Sequence, residues 1–271
     1  MNTKNILPRI YGKYQRTLSG LMYRRPITMR NSAPCISFTF DDFPRSSLHR
    51  GGDILTRFGL RATYYASLGL MGTEAPPGAI CLLDDIIELI AQGHELGCHT
   101  FDHCHSWETN PSVFEKSIIK NGQVLNEIIP GSIFRTFAYP SSYPRPDTKL
   151  MASKYFSCCR CGGQAFNAGI ADMNLLKAYL LEKSRDNLSA VKEVIDLNCQ
   201  AGGWLIFATH DISENPTPYG CTPAFFEEIV RYSQASGAEI LPVSETLAAI
   251  TGTMQSESLL DVTRSVYTIG N

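Results

Sequence analysis

The sequence predicts an α/β fold in which short strands and amphipathic helices alternate around a closed or nearly closed barrel. From Cys35 onward, short apolar runs rich in strand-forming residues alternate with segments of helical periodicity. Seven or eight such units follow one another, and that number of parallel βα units suffices to close a barrel. With 271 residues and 44% hydrophobic content, the chain can bury one large core. We therefore expect one catalytic domain over residues 35–250.

The strands are predicted from short runs of β-branched, aromatic and aliphatic residues that end in polar or turn residues. They cover residues 36–40, 62–68, 95–100, 136–141, 157–161, 175–181, 204–210 and 239–244. Helical periodicity marks segments between several of these runs, at residues 83–93, 111–129, 187–200 and 222–237. Because helical crossovers join parallel strands, side chains that follow the strands should meet at one end of the barrel.

Two terminal segments flank this domain. Residues 1–34 are basic: the first 40 residues contain seven Lys or Arg and no acidic residue. Apolar residues recur there at helical spacing, although Pro8 and Gly12 weaken the helix prediction. We expect a basic helical arm packed on the domain; the alternative is a helix that contacts anionic lipid or a phosphate-bearing substrate. Residues 251–271 are polar and are expected to form a tail or a terminal helix.

Composition and cysteine usage limit the partners and the compartment. A net charge of -2 argues against nucleic-acid binding, which usually needs a basic domain. The N-terminus lacks the unbroken apolar core of a signal peptide, and no run of roughly 18 apolar residues predicts a membrane span. Nine scattered cysteines are therefore expected to be free thiols in a reducing cytoplasm. Cys158 and Cys161 form a C-x-x-C without a second pair at zinc-site spacing, so we interpret them as structural thiols rather than a metal or redox site.

Side chains able to do chemistry cluster at the C-terminal ends of the predicted strands. They are Asp41 and Asp42, His99 and His103, Arg135 and Tyr139, and His210 and Asp211. Parallel barrels build their active sites at this end, so these residues predict an active site. His94 precedes its strand and is expected at the opposite end of the barrel, while His105 is expected behind the site or exposed.

The segment from His99 to His103 suggests a metal site. Two imidazoles four residues apart lie on one face of a helical turn and can converge on one cation, although a lone H-x-x-x-H is often incidental. With a single carboxylate, they form a triad that leaves coordination positions open for water and substrate. We therefore expect one divalent ion, zinc before iron, cobalt or nickel.

The adjacent carboxylates Asp41 and Asp42 support this interpretation. Consecutive residues that leave a strand point in different directions, so one carboxylate can bind the cation while the other accepts a proton from water. Without a cation, two carboxylates so close would repel one another, and the pKa of one would rise. An arginine such as Arg135 would keep the unligated carboxylate ionised. The alternative is that the pair caps the helix that follows.

Four motifs together give the sequence a family resemblance. They are Thr39-Phe40-Asp41-Asp42 followed by Phe43 instead of glycine, the H-[ST]-x-x-H segment at 99–103, the segment RTFAYPSSYP at 135–144, and Ala208-Thr209-His210. In order and spacing, over residues 36–245, they resemble the NodB-homology polysaccharide deacetylases, also called carbohydrate esterase family four. The resemblance implies a distorted (β/α) barrel with about seven parallel strands. It also implies metal-dependent removal of an acetyl group, usually from an N-acetylated sugar.

The resemblance further implies a role for each motif residue. The three metal ligands would be Asp42, His99 and His103. Asp41 would be the general base and would pair with Arg135. The backbone N–H of Tyr139 would help hold the oxyanion, and His210 would be the general acid that protonates the leaving amine.

Three departures from the family pattern affect the expected site. Phe43 in place of glycine should either reroute the backbone or place a large ring at one wall of the substrate cleft. Ala208 replaces a leucine of the acetyl-methyl pocket and could leave room for a longer acyl group. The charged partner of His210 in the fourth motif is not placed; the candidates are Lys177, Asp172 and Asp186.

Three functions are compatible with these residues. The leading hypothesis is a cytoplasmic enzyme that deacetylates an N-acetylated sugar, such as a sugar nucleotide, a lipid-linked sugar or another intermediate of a glycan pathway. The basic arm would suit such a phosphate-bearing substrate near a membrane. The second hypothesis is a hydrolase of a small non-sugar linear or cyclic amide on the same barrel. The third is a catalytically silent carbohydrate-binding or scaffolding protein.

Overall fold

The computed structural model describes residues 6–29, 33–141, 143–185 and 187–252, with the side chains of 6–9 excepted. The predicted C-terminal tail therefore lies outside the described residues from 253 onward. The strands of the described residues are β1 (Pro26–Thr28), β2 (Cys35–Phe40), β3 (Thr63–Ala66), β4 (Glu74–Ala75), β5 (Gly78–Ala79), β6 (Glu95–Cys98), β7 (Thr136–Ala138), β8 (Cys158–Gly162), β9 (Ile170–Asp172), β10 (Leu176–Leu180), β11 (Trp204–Thr209) and β12 (Glu239–Ile240).

Several helices begin at side-chain caps that the sequence provides. Asn110 accepts a hydrogen bond from the backbone N–H of Ser112, and Thr222 accepts one from that of Phe225; a proline follows each cap. The helices of the described residues are α1 (Ile6–Leu21), α2 (Asp53–Arg57), α3 (Leu83–Ala91), α4 (Pro111–Ile128), α5 (Pro146–Ala152), α6 (Leu188–Gln200), α7 (Pro223–Ala235) and α8 (Val243–Thr251). Shorter helical turns lie at Ser47–Gly52, Leu68–Leu70 and Leu181–Ser184.

Seven parallel strands close into a barrel, which confirms the predicted fold class. Their order is β2, β3, β6, β7, β8, β10 and β11. The barrel closes because β11 pairs with β2; Trp204 lies opposite Cys35 at one end of this pairing and Thr209 opposite Phe40 at the other. The short β12 pairs with the first two residues of β2. Each of the eight predicted strands overlaps one strand of this sheet, and the four predicted helices correspond to α3, α4, α6 and α7.

The two faces of the barrel strands have different partners. Alternate residues of β2, β8, β10 and β11 form a small inner core with two residues of α8; its members include Cys35, Cys158, Leu176, Ala178, Trp204, Ile206, Ala208, Val243 and Leu247. The other face, with Phe38 and Phe207, packs in the large core that includes the helices. Continuing the inward alternation past the ends of β2 and β11 leads to Asp41 and His210. The inner face therefore carries the functional residues at its C-terminal end.

The C-x-x-C motif lies within β8. Cys158 belongs to the inner core and Cys161 to the outer one, because residues three apart on a strand point to opposite faces. Both are free and buried, and burial raises the pKa of Cys161 to about 12. On opposite faces, the two thiols cannot share a metal ion or form a disulfide.

The basic N-terminal arm is an integral part of the structure over its described residues. Helix α1 packs against α5, and β1 pairs antiparallel with β9. The fully buried Lys149 donates hydrogen bonds to the carbonyls of Ser19 (2.7 Å) and Met22 (2.8 Å), and its Nζ lies 2.6 Å from an Asp172 carboxylate oxygen. Since Lys149 binds the last carbonyls of α1, it stabilises both the helix end and its docking. No helix among the described residues has the length and apolarity to span a bilayer.

His94 lies at the start of β6, at the opposite end of the barrel from the site, as predicted. Its Nδ1 accepts a hydrogen bond from the Ala62 backbone N–H (3.0 Å), and burial lowers the pKa of His94 to about 4. The unfolded chain, with an ordinary histidine pKa of about 6.5, binds this proton first as pH falls. Stability should therefore decrease between pH 6.5 and 4, by about 2 kcal/mol at pH 5 for this residue alone.

Urea denaturation at pH 7.5 and pH 5 tests this prediction. The free energy of unfolding should fall less between the two pH values in His94→Gln than in the wild type, because glutamine does not titrate. An equal fall in both proteins would mean that His94 is not buried in its neutral form.

Candidate metal centre

The predicted metal ligands meet at the C-terminal ends of β2 and β6. Asp42 Oδ1 lies 3.5 Å from His99 Nε2 and 3.2 Å from His103 Nε2. One potential ligand atom from each of the three residues lies within 4.8 Å of the other two. His99 and Asp42 are buried, whereas His103 is partly exposed. The barrel therefore brings together two imidazoles and one carboxylate, with access from one side.

Protonation and hydrogen bonding prepare this cluster for a cation. His99 donates its Nδ1–H to the Ala138 carbonyl (2.8 Å), which leaves the Nε2 lone pair facing Asp42. Burial lowers the pKa of His99 to about 4, so the imidazole is neutral, as a metal ligand must be. Asp42 Oδ1 is buried and has no hydrogen-bond partner in the described part of the chain. An unpaired carboxylate oxygen between two imidazole nitrogens fits one divalent cation.

The loops that carry the ligands have an unusual backbone. Asp42 (φ 61°), Phe43 (φ 52°), Thr100 (φ 61°) and His103 (φ 51°) all lie in the left-handed region, which non-glycine residues rarely adopt. Phe43 thus keeps a conformation that glycine would adopt easily. Its ring is fully buried, 5.1 Å from the Tyr64 ring. The expectation of a ring in the cleft wall is wrong, because the Phe43 ring turns into the core. The rerouted backbone stays a prediction.

The second carboxylate, Asp41, has a separate partner. Its Oδ1 accepts a hydrogen bond from Nη2 of Arg160, and both side chains are buried. Burial alone would raise the pKa of Asp41, but the attraction of Arg160, then of His99 and His210, outweighs it and the pKa lies below its ordinary value. The Arg160 guanidinium also lies over the Tyr65 ring, 4.5 Å from its centroid. Asp41 is therefore held ionised beside the metal cluster.

The partner of Asp41 comes from a different strand than predicted. Arg135 is exposed and precedes β7, where its carbonyl accepts from the Ser157 backbone N–H. That position is at the opposite end of the barrel, so the prediction that Arg135 pairs with Asp41 is wrong. Arg160 lies on β8, directly opposite Ala138 in the parallel pairing. The signal for it in the sequence is an arginine at an inward position of a buried strand, where it needs a carboxylate.

The predicted oxyanion donor is also contradicted. The backbone N–H of Tyr139 donates to the Arg160 carbonyl (2.9 Å) and is therefore used within the sheet. The Tyr139 hydroxyl donates to the Asn174 carbonyl (3.1 Å). Tyr139 still lines the pocket. Its contribution is thus to the shape of the pocket wall rather than to an oxyanion hole.

His210 faces the metal cluster from β11. Its Nδ1 donates to the Tyr219 carbonyl (3.3 Å), and its Nε2 lies 3.9 Å from Asp42 Oδ2. The carbonyl of Tyr219 therefore fixes the ring so that Nε2 is directed toward the centre.

A carboxylate near His210 was not identified from the sequence. Glu182 lines the pocket, and among the described residues its buried Oε2 has no hydrogen-bond partner. Burial raises the pKa of Glu182, and its own backbone hydrogen bond and then the attraction of His210 partly offset this rise. Among the earlier candidates, Asp172 pairs with Lys149, Lys177 is exposed, and residue 186 lies outside the described residues. Glu182 is thus a further carboxylate that interacts electrostatically with His210, besides Asp42, whose Oδ2 lies 3.9 Å from His210 Nε2.

The position of Ala208 is bordered by a leucine from the neighbouring strand. Ala208 is buried on β11, and Leu180 of β10 lies opposite it in register. Leu180 lines the pocket and would lie 3.1 Å from a Cβ added at Gly162. Apolar surface is therefore present beside Ala208, supplied by the adjacent strand.

The pocket around these residues has a volume of about 800 Å³. This volume is in the range of small-molecule sites. Besides the residues already described, its walls include Arg16 of α1, Tyr143, Gln164 and Lys183. The N-terminal helix and the segment after β10 thus contribute to a cavity centred on the barrel.

The comparison with protein families finds a match over the first part of the barrel. The model of the polysaccharide deacetylase family matches residues 28–155, which contain Asp41, Asp42, His99 and His103. A comparison with curated proteins finds no match.

Solved structures share the fold at low identity. A family 4 acetyl xylan esterase from Clostridium thermocellum, in complex with a cobalt ion, is 20% identical over 83% of this chain and 96% of its own, with a TM-score of 0.53. A mutant of the peptidoglycan deacetylase PdaC from Bacillus subtilis is 16% identical over 84% and 96%, with a TM-score of 0.53. A CE4 family pseudoenzyme from Bacillus anthracis is 12% identical over 80% and 66%, with a TM-score of 0.55. At these identities, the likeness concerns the fold alone.

Proposed function

We propose that the chain is a hydrolase of the polysaccharide deacetylase family, whose model matches residues 28–155, and that it removes the acetyl group from an N-acetylated sugar with one divalent cation. One observation carries the proposal: the Asp42, His99 and His103 ligand set shares a pocket with a separate carboxylate that Arg160 holds ionised. A site built only to bind sugar would not need that second carboxylate. Zinc is the proposed ion, and iron, cobalt and nickel suit the same ligands.

The cation and Asp41 have complementary tasks in this mechanism. A divalent ion held by the three ligands would supply Lewis acidity toward the acyl carbonyl and make water easier to deprotonate. Asp41 accepts the proton from the attacking water. The hydrogen bond from Arg160 to Asp41 Oδ1 keeps this carboxylate charged and separates it from the ligand role of Asp42.

His210 acts at the other end of the scissile bond. An amine leaves poorly unless its nitrogen is protonated, and a histidine side chain can hold and donate a proton near neutral pH. The Tyr219 carbonyl orients the ring of His210, so its Nε2 donates the proton to the leaving nitrogen.

His210→Ala should slow acetate release by about 10²–10⁴, because the leaving nitrogen loses its proton donor. Metal content should remain at the wild-type value, since His210 is outside the ligand set. Steady-state acetate assays and elemental analysis of the same samples measure both quantities. Unchanged turnover would remove His210 from the mechanism.

The proposed substrate is a glycan-pathway intermediate in the cytoplasm. The pocket volume of about 800 Å³ accommodates one or two sugar rings better than a buried polymer. None of the nine cysteines, all of which lie in the described part of the chain, forms a disulfide, and this is typical of a reducing compartment. The departures from the family pattern at Phe43 and Ala208 are what would favour the small-amide alternative. Because the Phe43 ring lies in the core and Leu180 borders Ala208, these positions no longer favour it.

A substrate panel with zinc-loaded protein tests the proposal. It contains N-acetylated monosaccharides and oligosaccharides, an O-acetylated sugar, a small linear amide and a cyclic imide, with acetate and free amine measured together. We expect equal amounts of acetate and amine from at least one N-acetylated sugar. Hydrolysis of only the amide or the imide would favour the second hypothesis, and glycan binding without turnover would favour a silent binding protein.

A further inference from the structure

Among the residues that the structure describes, two cations at the pocket wall have no carboxylate partner. Arg16 belongs to α1, and Lys183 follows β10; both side chains line the cavity and are exposed. Among the described residues, neither forms an ion pair, whereas Arg160 in the same cavity is paired with Asp41. Arg16 and Lys183 thus present two positive charges to whatever enters the pocket.

The other charges of the cavity do not neutralise these two. Of the three carboxylates that line it, Asp41 is paired with Arg160 and Asp42 faces the two ligand histidines. Glu182 is the third, and its partial burial raises its pKa. With a divalent cation bound, positive charge exceeds negative charge in the cavity. A pocket lined by an excess of one sign attracts ligands of the opposite sign.

Helix α1 places Arg16 firmly. Lys149 fixes the C-terminal end of the helix through the Ser19 and Met22 carbonyls. On its other turns, Tyr11 and Tyr14 pack edge-on against Trp107, with ring centroids 6.1 and 6.5 Å from it. Arg16 is therefore presented to the pocket from an anchored helix, which reduces the entropy lost when it binds a ligand.

We propose that Arg16 and Lys183 form a subsite for a phosphate group carried by the N-acetylated sugar. This inference rests on the proposed function and narrows its substrate class. Phosphate suits the pair because it carries up to two negative charges, which a guanidinium can bind through two hydrogen bonds while an ammonium adds a point charge. The acetamido group would lie at the metal centre and the phosphate at the rim.

Catalytic comparison of a charged and a neutral substrate tests the subsite. The probes are N-acetylglucosamine 1-phosphate and methyl N-acetylglucosaminide, assayed with the wild type, Arg16→Ala, Arg16→Gln and Lys183→Ala. For each variant, kcat/KM should fall at least tenfold more for the phosphorylated probe than for the neutral one, mainly through KM. Lys13→Ala is the matched control, because Lys13 is an exposed cation on α1 that does not line the cavity. It should behave as wild type.

Direct binding separates the subsite from the deacetylase function. Calorimetry of zinc-loaded Asp41→Asn with N-acetylglucosamine 1-phosphate should show binding that weakens at least tenfold when Arg16→Ala or Lys183→Ala is added. Such binding without acetate release by the wild type would support the subsite and contradict the proposed function. Two results would overturn the subsite while leaving the proposed function standing. In the first, the wild type releases acetate but each variant loses kcat/KM equally for the phosphorylated and the neutral probe. In the second, all variants bind N-acetylglucosamine 1-phosphate with equal affinity.

A third arm distinguishes the sources of the phosphate. Wild-type rates are compared for a nucleoside diphosphate N-acetylglucosamine in solution and a prenyl diphosphate N-acetylglucosamine in phosphatidylcholine vesicles. A higher rate with either substrate, lost in Arg16→Ala, supports the subsite and identifies the source of the phosphate. No preference over the neutral methyl glycoside for any phosphorylated probe would overturn it.

Discussion

Replacing Asp41 with asparagine is expected to reduce acetate release by about 10²–10⁴ while the metal content stays unchanged. Asparagine keeps the size of the side chain but cannot accept a proton from water. The proposed metal ligands Asp42, His99 and His103 are untouched, so the cation should still bind. Acetate assays and elemental analysis on one preparation measure the two effects.

Asp42→Asn is the matched comparison for this prediction, because it makes the same chemical change at the neighbouring carboxylate. It should lose metal and turnover together. Loss of metal in Asp41→Asn with retention in Asp42→Asn would reverse the two roles.

Replacing Arg160 with methionine is expected to have the largest effect on stability. It leaves the buried Asp41 carboxylate without its partner, and breaking a buried pair in this way costs about 3–5 kcal/mol. The attraction of Arg160 holds the pKa of Asp41 below its ordinary value, so that pKa should rise in the variant. Turnover that needs ionised Asp41 should then begin at higher pH than in the wild type.

The pH dependence of stability has a definite sign. Because the folded-state pKa of Asp41 is lowered, its contribution to stability is present above the ordinary aspartate pKa of about 3.9 and is lost as pH falls through the lower folded value. The stability difference between the wild type and Arg160→Met should therefore be largest near neutral pH and narrow in acid. Urea denaturation between pH 7.5 and 2.5 measures it.

Arg135→Met provides the matched control for Arg160. Arg135 is exposed, so its replacement should change stability by less than about 0.5 kcal/mol and leave turnover unaffected. Arg160→Lys keeps a charge beside Asp41 and should retain more activity than Arg160→Met. If Arg135→Met lost turnover and Arg160→Met did not, the assignment of the Asp41 partner would be wrong.

The sequence predicts the barrel and the end at which the candidate site lies because both follow from local patterns, whereas the choice of Asp42 as a metal ligand comes from the family resemblance. Strand composition, helical periodicity and the position of polar residues after each strand place Asp42, His99 and His103 at one end. The partner of Asp41 depends instead on which residues lie beside one another across two strands. Arg160 occupies the place opposite Ala138, and this register cannot be derived without knowing where β7 and β8 begin.

Other features of the site depend on backbone conformation. The left-handed residues Asp42 and His103 aim their side chains in directions that an extended strand end does not predict. A linear motif does not show which backbone N–H groups pair within the sheet, and that of Tyr139 donates to the Arg160 carbonyl. Glu182 lies in a short helical turn after β10, and only the closed barrel brings it near His210.

The central claim is that Asp42, His99 and His103 hold a catalytic divalent ion. Its most direct test is elemental analysis of the purified wild type, His99→Ala and His103→Ala after incubation with zinc, with acetate release from N-acetylated sugars measured on the same samples. The wild type should hold about one ion per chain and release acetate, and both variants should lose metal and turnover together. A wild type that binds no divalent ion, or variants that keep the ion and the activity, would contradict the claim.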